Sequence, residues 1–310
     1  MHLIIPFASV LSEAGRQALR ALALPNLARL MGAMAAQPAD AGDEYSLSPP
    51  HERAHAAALG LEGADGALPW AAHAAAAQGI DTGDLAWGLV TPVHCRVGAS
   101  EISVADPAAL ALDEADSRAL LEAVRPLFED EGYVLLYGTP LAWYAAHESF
   151  AELACASLDR VVGRRVDPWL APLERARAVR RLQNEVQMLL HAHPVNEARE
   201  ARGLPAVNSF WLSGCGAHQP VRAAGEVRLD ARLREPALAE DWGAWSEAWR
   251  ALDAGPLAEA LPRARRGEAL RVTLCGERRA QRLDAQAPGL WARLTGRGGS
   301  TPPLPLLEAL

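Results

Sequence analysis

Two stretches of the chain hold side chains whose types and spacing could do chemistry. In the first, His51 and Glu52 adjoin and His55 follows at i+4, so the two imidazoles share one face of any helix that begins there. An imidazole beside a carboxylate can move a proton to or from a reacting group. The exposed start of a helix accounts for the same residues equally well. The second stretch runs from His191 to Gly216 and contains Asn196, Arg199, Asn208, Trp211, Ser213, Gly214 and Gly216. Amide and guanidinium donors near a glycine turn suit an anionic ligand, which they can grip through charge-assisted hydrogen bonds. His191, His193, Cys215 and His218 are of the types that bind zinc, but their spacing fits no closed motif and the first two would point apart on a helix. His94 and Cys95 adjoin without an identifiable third group to orient a Cys-His pair. Gly214-x-Gly216 is too short for a dinucleotide fingerprint.

These residues need elements to hold them. Val179, Leu182, Val186, Leu189 and Leu190 recur at helical spacing and predict a helix over 173–191, whose other face carries Arg175, Arg177, Arg180 and Arg181. Gly203 and Pro205 then break the pattern, and the apolar run 207–212 reads as a buried strand that stops in the turn Ser213-Gly214-Cys215-Gly216. In open α/β sheets the ligand crevice lies beyond the carboxyl ends of the strands. That rule singles out Asn208, Trp211, Ser213 and the glycines; a core strand with a tight turn is the plain alternative. Upstream, 3–7 reads as a first strand, Ser9 or Ser12 as a helix cap, Pro25 as a first helical residue and 37–50 as an exposed loop. An Ala-rich helix ends at Gly60, and a further helical patch, 69–78, ends at Gly79. Strands at 85–90, 101–104 and 133–137 around a helix at 113–128 suggest a smaller inserted layer. Downstream come an edge strand at 226–233, a helix at 241–252 and a strand at 270–275. The 241–252 helix puts Trp242, Trp245 and Trp249 on one face, for a core or for a partner. The proline-broken apolar tail 302–310 would dock on the body or on a partner.

Composition sets the outer bounds. The chain has 310 residues, half of them hydrophobic, enough for one large domain or two smaller ones. All thirty basic residues are Arg, so there is no lysine for Schiff-base chemistry. A net charge of -8 is no footprint for nucleic acid. Four cysteines without a C-x-x-C pair read as free thiols in a reducing compartment. The opening residues lack a charged segment, and their apolar run is too short for a signal peptide or a membrane span, so a cytoplasmic protein is expected.

The segments His193-Pro-Val-Asn-x-x-Arg199 and Gly203-Leu-Pro-x-x-Asn208-x-x-Trp211-x-x-Gly214-x-Gly216 resemble the archaeal-type, cofactor-independent phosphoglycerate mutases of the alkaline phosphatase superfamily. Pro25-Asn-Leu-Ala-Arg-Leu30 and the helix from Ala54-His55 to Leu59-Gly60 are similar to segments of that superfamily, as is Gly79-Ile-x-x-Gly83-Asp84-Leu-Ala86. The opening Ile5-Pro-Phe-Ala-Ser-x-Leu-Ser-Glu-Ala-Gly-Arg-Gln-Ala-Leu19 and Leu274-Cys-Gly-Glu277 resemble a bacterial family of RpfE-type regulatory proteins. The mutase chemistry implied by the first resemblance needs two divalent metals and a Ser or Thr nucleophile between them. At the end of strand one, where that family has an Asp ligand, this chain has Pro6-Phe7-Ala8. His51 and Glu52 stand where a Ser-Asp pair would be. The Gly-Asp-His-Ser-type metal motif is replaced by Gly276-Glu277-Arg278-Arg279. Arginine there adds a fixed positive charge that can hold an anion directly.

The resemblance therefore implies a mostly parallel, alkaline-phosphatase-like α/β sheet flanked by helices, with an inserted α/β subdomain. Its parts would be a core over 1–83, the insert and a connecting helix over 84–194, and the rest of the core over 195–310. The expected function is that of a non-catalytic, metal-free regulatory or binding protein, a pseudoenzyme without a cofactor. Its ligand would be a small anion or a protein partner, with neither nucleic acid nor membrane, and a homo-oligomer is compatible with this. Asn196, Arg199, Asn208, Trp211, Ser213, Gly214, Gly216, Arg278 and Arg279 are the expected ligand residues. The alternative is a phosphoryl-transfer enzyme of altered chemistry, mutase-like or phosphatase-like, with His51 and Glu52 as its catalytic pair.

Overall fold

The structure, a computed structural model, describes residues 1–40, 42–98, 101–170, 173–286 and 299–310. Its strands are β1 (His2–Ile5), β2 (Met34–Ala36), β3 (Ala86–Val93), β4 (Cys95–Val97), β5 (Ile102–Val104) and β6 (Val134–Thr139). They continue with β7 (Ala142–Ala146), β8 (Ser209–Ala217), β9 (Val227–Leu229), β10 (Arg271–Cys275) and β11 (Ala280–Ala285). The chain forms two compact units, one from residues 1–45, 49–60 and 222–310, the other from 46–48 and 61–221. The boundaries expected from the sequence, after residues 83 and 194, both fall inside the second unit.

In the first unit a five-stranded sheet has the order β2-β11-β10-β1-β9. Strand β1 alternates its side chains between two faces, as the period of two requires. Leu3 and Ile5 enter a large core with Trp245, Trp249, Leu252 and Leu261, carried by the helices Trp242–Leu252 and Ala258–Arg265. Trp245 and Trp249 are fully buried there and Trp242 is half-buried, so most of the tryptophan face packs inside this unit. His2 and Ile4 face the other way, where the Pro50–Leu59 helix lays Ala54 and Ala58 over Ile4, Cys275 and Ala280. That helix ends at Gly60, whose φ of 74° gives the left-handed cap that the sequence suggests. The tail also docks in this unit, with Leu307 and Leu310 buried in its core.

In the second unit a four-stranded sheet has the order β6-β7-β3-β8. The helices Glu114–Asp130 and Leu173–His191 bury Leu120, Val124, Leu182, Val186 and Leu190 on one face. Ala71, Ala72 and Ala75 of the Trp70–Ala77 helix pack with Trp87 and Tyr144 on the other. Strands β4 and β5 make a separate two-stranded ribbon.

The expected mostly parallel sheet is not what forms. In the first sheet β9, β1 and β10 run parallel while β11 and β2 are antiparallel, and the described strands of the second sheet are antiparallel. Short links explain two of these pairs: Pro140 and Leu141 alone separate β6 from β7, four residues separate β10 from β11, and a parallel pair needs a crossover of about a dozen residues or more.

The glycine turn expected after Leu212 is instead a bulge inside β8. Trp87 pairs with Gly216 and Leu89 with Ser213, so Gly214 and Cys215 together oppose Gly88. Gly214 has a φ of 63°, and a Cβ there would lie 2.9 Å from the Trp70 Cβ and 3.1 Å from the Ala71 nitrogen. A Cβ on Gly216 would lie 2.9 Å from the Pro69 Cβ. The two glycines thus let the start of the Trp70–Ala77 helix press directly on the strand. Gly214→Ala is expected to cost roughly 1 kcal/mol for the left-handed backbone and a further roughly 1–3 kcal/mol for the overlap. Denaturant unfolding of the variant measures the sum, and an unchanged midpoint would contradict this role.

Candidate functional site

In the first unit, the place to look for a ligand crevice is the carboxyl end of parallel strands β1 and β10. The pairing continues past β1, because Ala8 donates its N–H to the carbonyl of Cys275, the last residue of β10, at 2.7 Å. Between them Phe7 takes a φ of 54°, which a bulky residue seldom adopts, at a cost on the order of 1–3 kcal/mol. The reversal lets the Phe7 carbonyl accept the Trp245 indole N–H at 3.0 Å, and the Phe7 ring lies 5.4 Å from the His51 ring. His51 is buried in the first turn of the Pro50–Leu59 helix, with half-buried Glu52 beside it. Glu277 accepts the Leu11 N–H at 2.8 Å. The backbone N–H groups of Arg278 and Arg279 both donate to the Leu310 carbonyl, at 3.1 and 3.0 Å. Gly276 makes room for that contact, since a Cβ on it would come within 2.6 Å of the Leu310 Cβ.

These residues do not fit the two-metal site that the resemblance implies. Pro6, Phe7 and Ala8 offer no side-chain donor, one Glu277 oxygen holds a backbone N–H, and the Asp40 carboxylate is paired with Arg53. Among the described residues no group of three or more His, Cys, Asp or Glu side chains is placed to hold a metal ion.

The motif residues 193–216 lie in the second unit, and their polar groups bond the protein's own backbone. Asn196 donates to the carbonyls of Leu190 and Val207, each at 2.8 Å, and accepts the Val207 N–H at 2.9 Å. It thereby closes the end of the Leu173–His191 helix onto the start of the strand segment. Asn208 accepts the Cys95 N–H at 2.7 Å and donates to the Cys95 carbonyl at 2.9 Å, extending the β3–β8 ladder by one side-chain pair. Trp211 donates its indole N–H to the Ala156 carbonyl at 2.8 Å. Arg199 is 0% exposed. Its guanidinium donates to the carbonyls of Pro205 and Leu110 and reaches the Asp116 carboxylate at 3.4 Å, where Arg202 also binds at 2.8 Å. Ser213 is buried in β8.

The structure thus brings Asn196, Arg199, Asn208, Trp211, Ser213, Gly214 and Gly216 together in one unit, and places His51, Glu52, Arg278 and Arg279 in the other. His193 Nδ1 accepts the Val195 N–H and caps the helix Pro194–Ala201. Cys155 and Cys215 are buried thiols with sulfurs 3.8 Å apart. The hydrogen bond with Cys155, and then burial, pushes the Cys215 thiol well up, so that sulfur is not set up as a thiolate nucleophile. Burial pushes the Cys275 thiol up as well.

Sequence reasoning missed a polar group on the β1–β10–β11 face. His2 is 8% exposed, with Nε2 2.8 Å from the Thr273 hydroxyl. Burial, then the charges of Arg271 and Arg282, lower its pKa from 6.5 to about 4. The alternation of His2 and Ile4 against Leu3 and Ile5 is the signal that could have found it, because it places a histidine at a core position of a strand.

No family model matches the chain, and no curated protein matches it. Among solved structures, the chain is similar to the cofactor-independent phosphoglycerate mutase from Thermoplasma acidophilum DSM 1728. The identity is 15% and the TM-score 0.38, over 91% of this chain and 89% of that one. It is also similar to the PH0037 protein from Pyrococcus horikoshii, with 12% identity and a TM-score of 0.47 over 98% and 91% of the two chains.

Two expectations follow from the geometry. Arg199→Ala strands the buried Leu110 carbonyl and the partly buried Pro205 carbonyl, while Asp116 keeps Arg202, and should cost about 3 kcal/mol, whereas exposed Arg279→Ala should stay within about 0.5 kcal/mol. Urea unfolding of both variants checks this, and equal stabilities would contradict it. For His2, the unfolded chain takes up a proton near pH 6.5 that the folded chain refuses until about 4. Stability is therefore intact at neutral pH and falls as pH drops through that window, by on the order of 1–2 kcal/mol after solvent screening. His2→Asn should flatten the loss measured by unfolding between neutral pH and the lower limit.

Proposed function

We propose that this chain is a non-catalytic regulatory protein that binds a small anionic ligand on a scaffold related to the phosphoglycerate mutases. The observation that carries it is the carboxyl end of β1 and β10. There the backbone reversal at Phe7, the Glu277–Leu11 bond and the Leu310 contacts lie where the mutase resemblance would require metal ligands. By the mutase resemblance His51 would stand at the nucleophile's position, and its ring lies beside the Phe7 ring. An imidazole there lacks the hydroxyl that the two-metal mechanism activates. The RpfE-type resemblance of the opening segment and of Leu274–Glu277 adds the regulatory part of the proposal.

The test is turnover of phosphoglycerates and of a generic phosphomonoester by the purified chain, with and without chelator, and by His51→Ala. The expected result is no turnover above the protein-free rate in any arm. Chelator-resistant turnover that is lost in His51→Ala would overturn the proposal in favour of altered phosphoryl transfer by His51 and Glu52.

A further inference from the structure

The first unit holds an open cleft of about 270 Å³ on the sheet face beside the Pro50–Leu59 helix. Its walls include His2 from β1, Arg271 and Thr273 from β10, Arg282 from β11, Arg53 from the helix, and Asp40. Strand register explains the grouping. His2 pairs with Arg271, and Thr273 pairs with Arg282, so side chains of three adjacent strands project from one face. The far wall is fixed by backbone bonds, since Gln37 donates to the Arg282 carbonyl at 2.9 Å and Asp40 to the Ala280 carbonyl at 3.0 Å.

The charge of this cleft opposes that of the chain. The molecule carries a net -8, yet the cleft is lined by three arginines and one aspartate. Asp40 is ion-paired with Arg53. Asp284, outside this lining, approaches Arg282 Nε at 3.1 Å. Among the described residues Arg271 has no carboxylate in an ion pair with it. The nearby groups acting on the His2 imidazole are Arg271, Arg282 and the Met1 amino group, which repel its proton, and Asp284, which attracts it. A concave wall of guanidinium groups concentrates positive potential and receives oxyanions through paired N–H donors.

We propose that the cleft between β1, β10, β11 and the Pro50–Leu59 helix is a binding site for a small phosphate-type dianion, held by Arg271 and Arg282 with Thr273 and His2 at its floor. The source of the dianion is either inorganic phosphate or a phosphate monoester, and the site asks for the same oxygens in both. This inference rests on the anion-binding part of the reading above, but it does not depend on the absence of turnover.

The test is an NMR pH titration of the His2 imidazole in the full chain, with inorganic phosphate, with glycerol phosphate, and with sodium chloride at matched ionic strength. Below a second phosphate pKa of about 6 the free ligand is a monoanion, and its bound oxygens still stabilise the imidazolium, so phosphate or its monoester should raise the His2 pKa by at least about one unit, tenfold in proton affinity. Sodium chloride should move it less. A shift with glycerol phosphate only would identify a monoester site, and a shift with both a site for the phosphate group alone. In Arg271→Gln and Arg282→Gln, both exposed positions, the phosphate-specific shift should be lost while circular dichroism stays unchanged. A His2 pKa that responds equally to phosphate and chloride, or a phosphate shift that persists in the two variants, would overturn the proposal. Turnover in the phosphomonoester assay would leave this result unaffected, so the two failures are separable.

Discussion

A strand that ends inside a protein leaves backbone N–H and C=O groups that neither its ladder nor water can satisfy, and each must find a partner. Much of this structure answers that constraint. In the first unit, the groups beyond β1 and β10 are met by Cys275 for Ala8, Trp245 for Phe7, Glu277 for Leu11 and Leu310 for Arg278 and Arg279. In the second, Asn196, Arg199, Asn208 and Trp211 do the same for Leu190, Val207, Pro205, Leu110, Cys95 and Ala156. In the second unit the side chains that the sequence offers for a ligand are therefore bonded to the main chain. The Asp253 carboxylate shows the same principle at a helix start, where it accepts the N–H groups of Asn26 at 3.1 Å and Leu27 at 2.7 Å.

The sequence made the helices legible because their signals are local. The helix Leu173–His191 forms over the span its apolar spacing predicts, Ser12 and Asp113 cap as short polar residues do, and Pro25 opens its helix. The strands were legible only where apolar or β-branched residues concentrate. Ala142–Ala146 and Ala280–Ala285 are strands by virtue of their partners, β3 with β6 and β10 with β2, and their composition carries little β preference. Missing these two hid the antiparallel hairpins, so nothing in the strand pattern opposed the parallel sheet that the mutase resemblance implies.

The candidate site was legible in part. Its residue types marked the 193–216 stretch as special, and it is special, but periodicity does not say whether a buried Asn or Arg faces a ligand or a carbonyl. Only the fold shows Asn196 bonded to both backbone groups of Val207, or Gly214 lying against Trp70. For His2 the strand alternation marks a buried position but not its chemistry. A single histidine near the start of a chain has no motif, and its chemistry comes from Arg271 and Arg282, brought beside it by strand pairing.

The proposal of a metal-free protein concerns the end of β1 and β10. Proline, phenylalanine and alanine follow β1, a glutamate holding a backbone N–H follows β10, and a histidine begins the helix between them in sequence. The most direct test of this account is a calorimetric titration of chelator-stripped protein with manganese and with zinc. The account predicts no saturable, stoichiometric uptake. Tight binding of about two ions per chain, the number that a paired phosphoryl-transfer site requires, would contradict it.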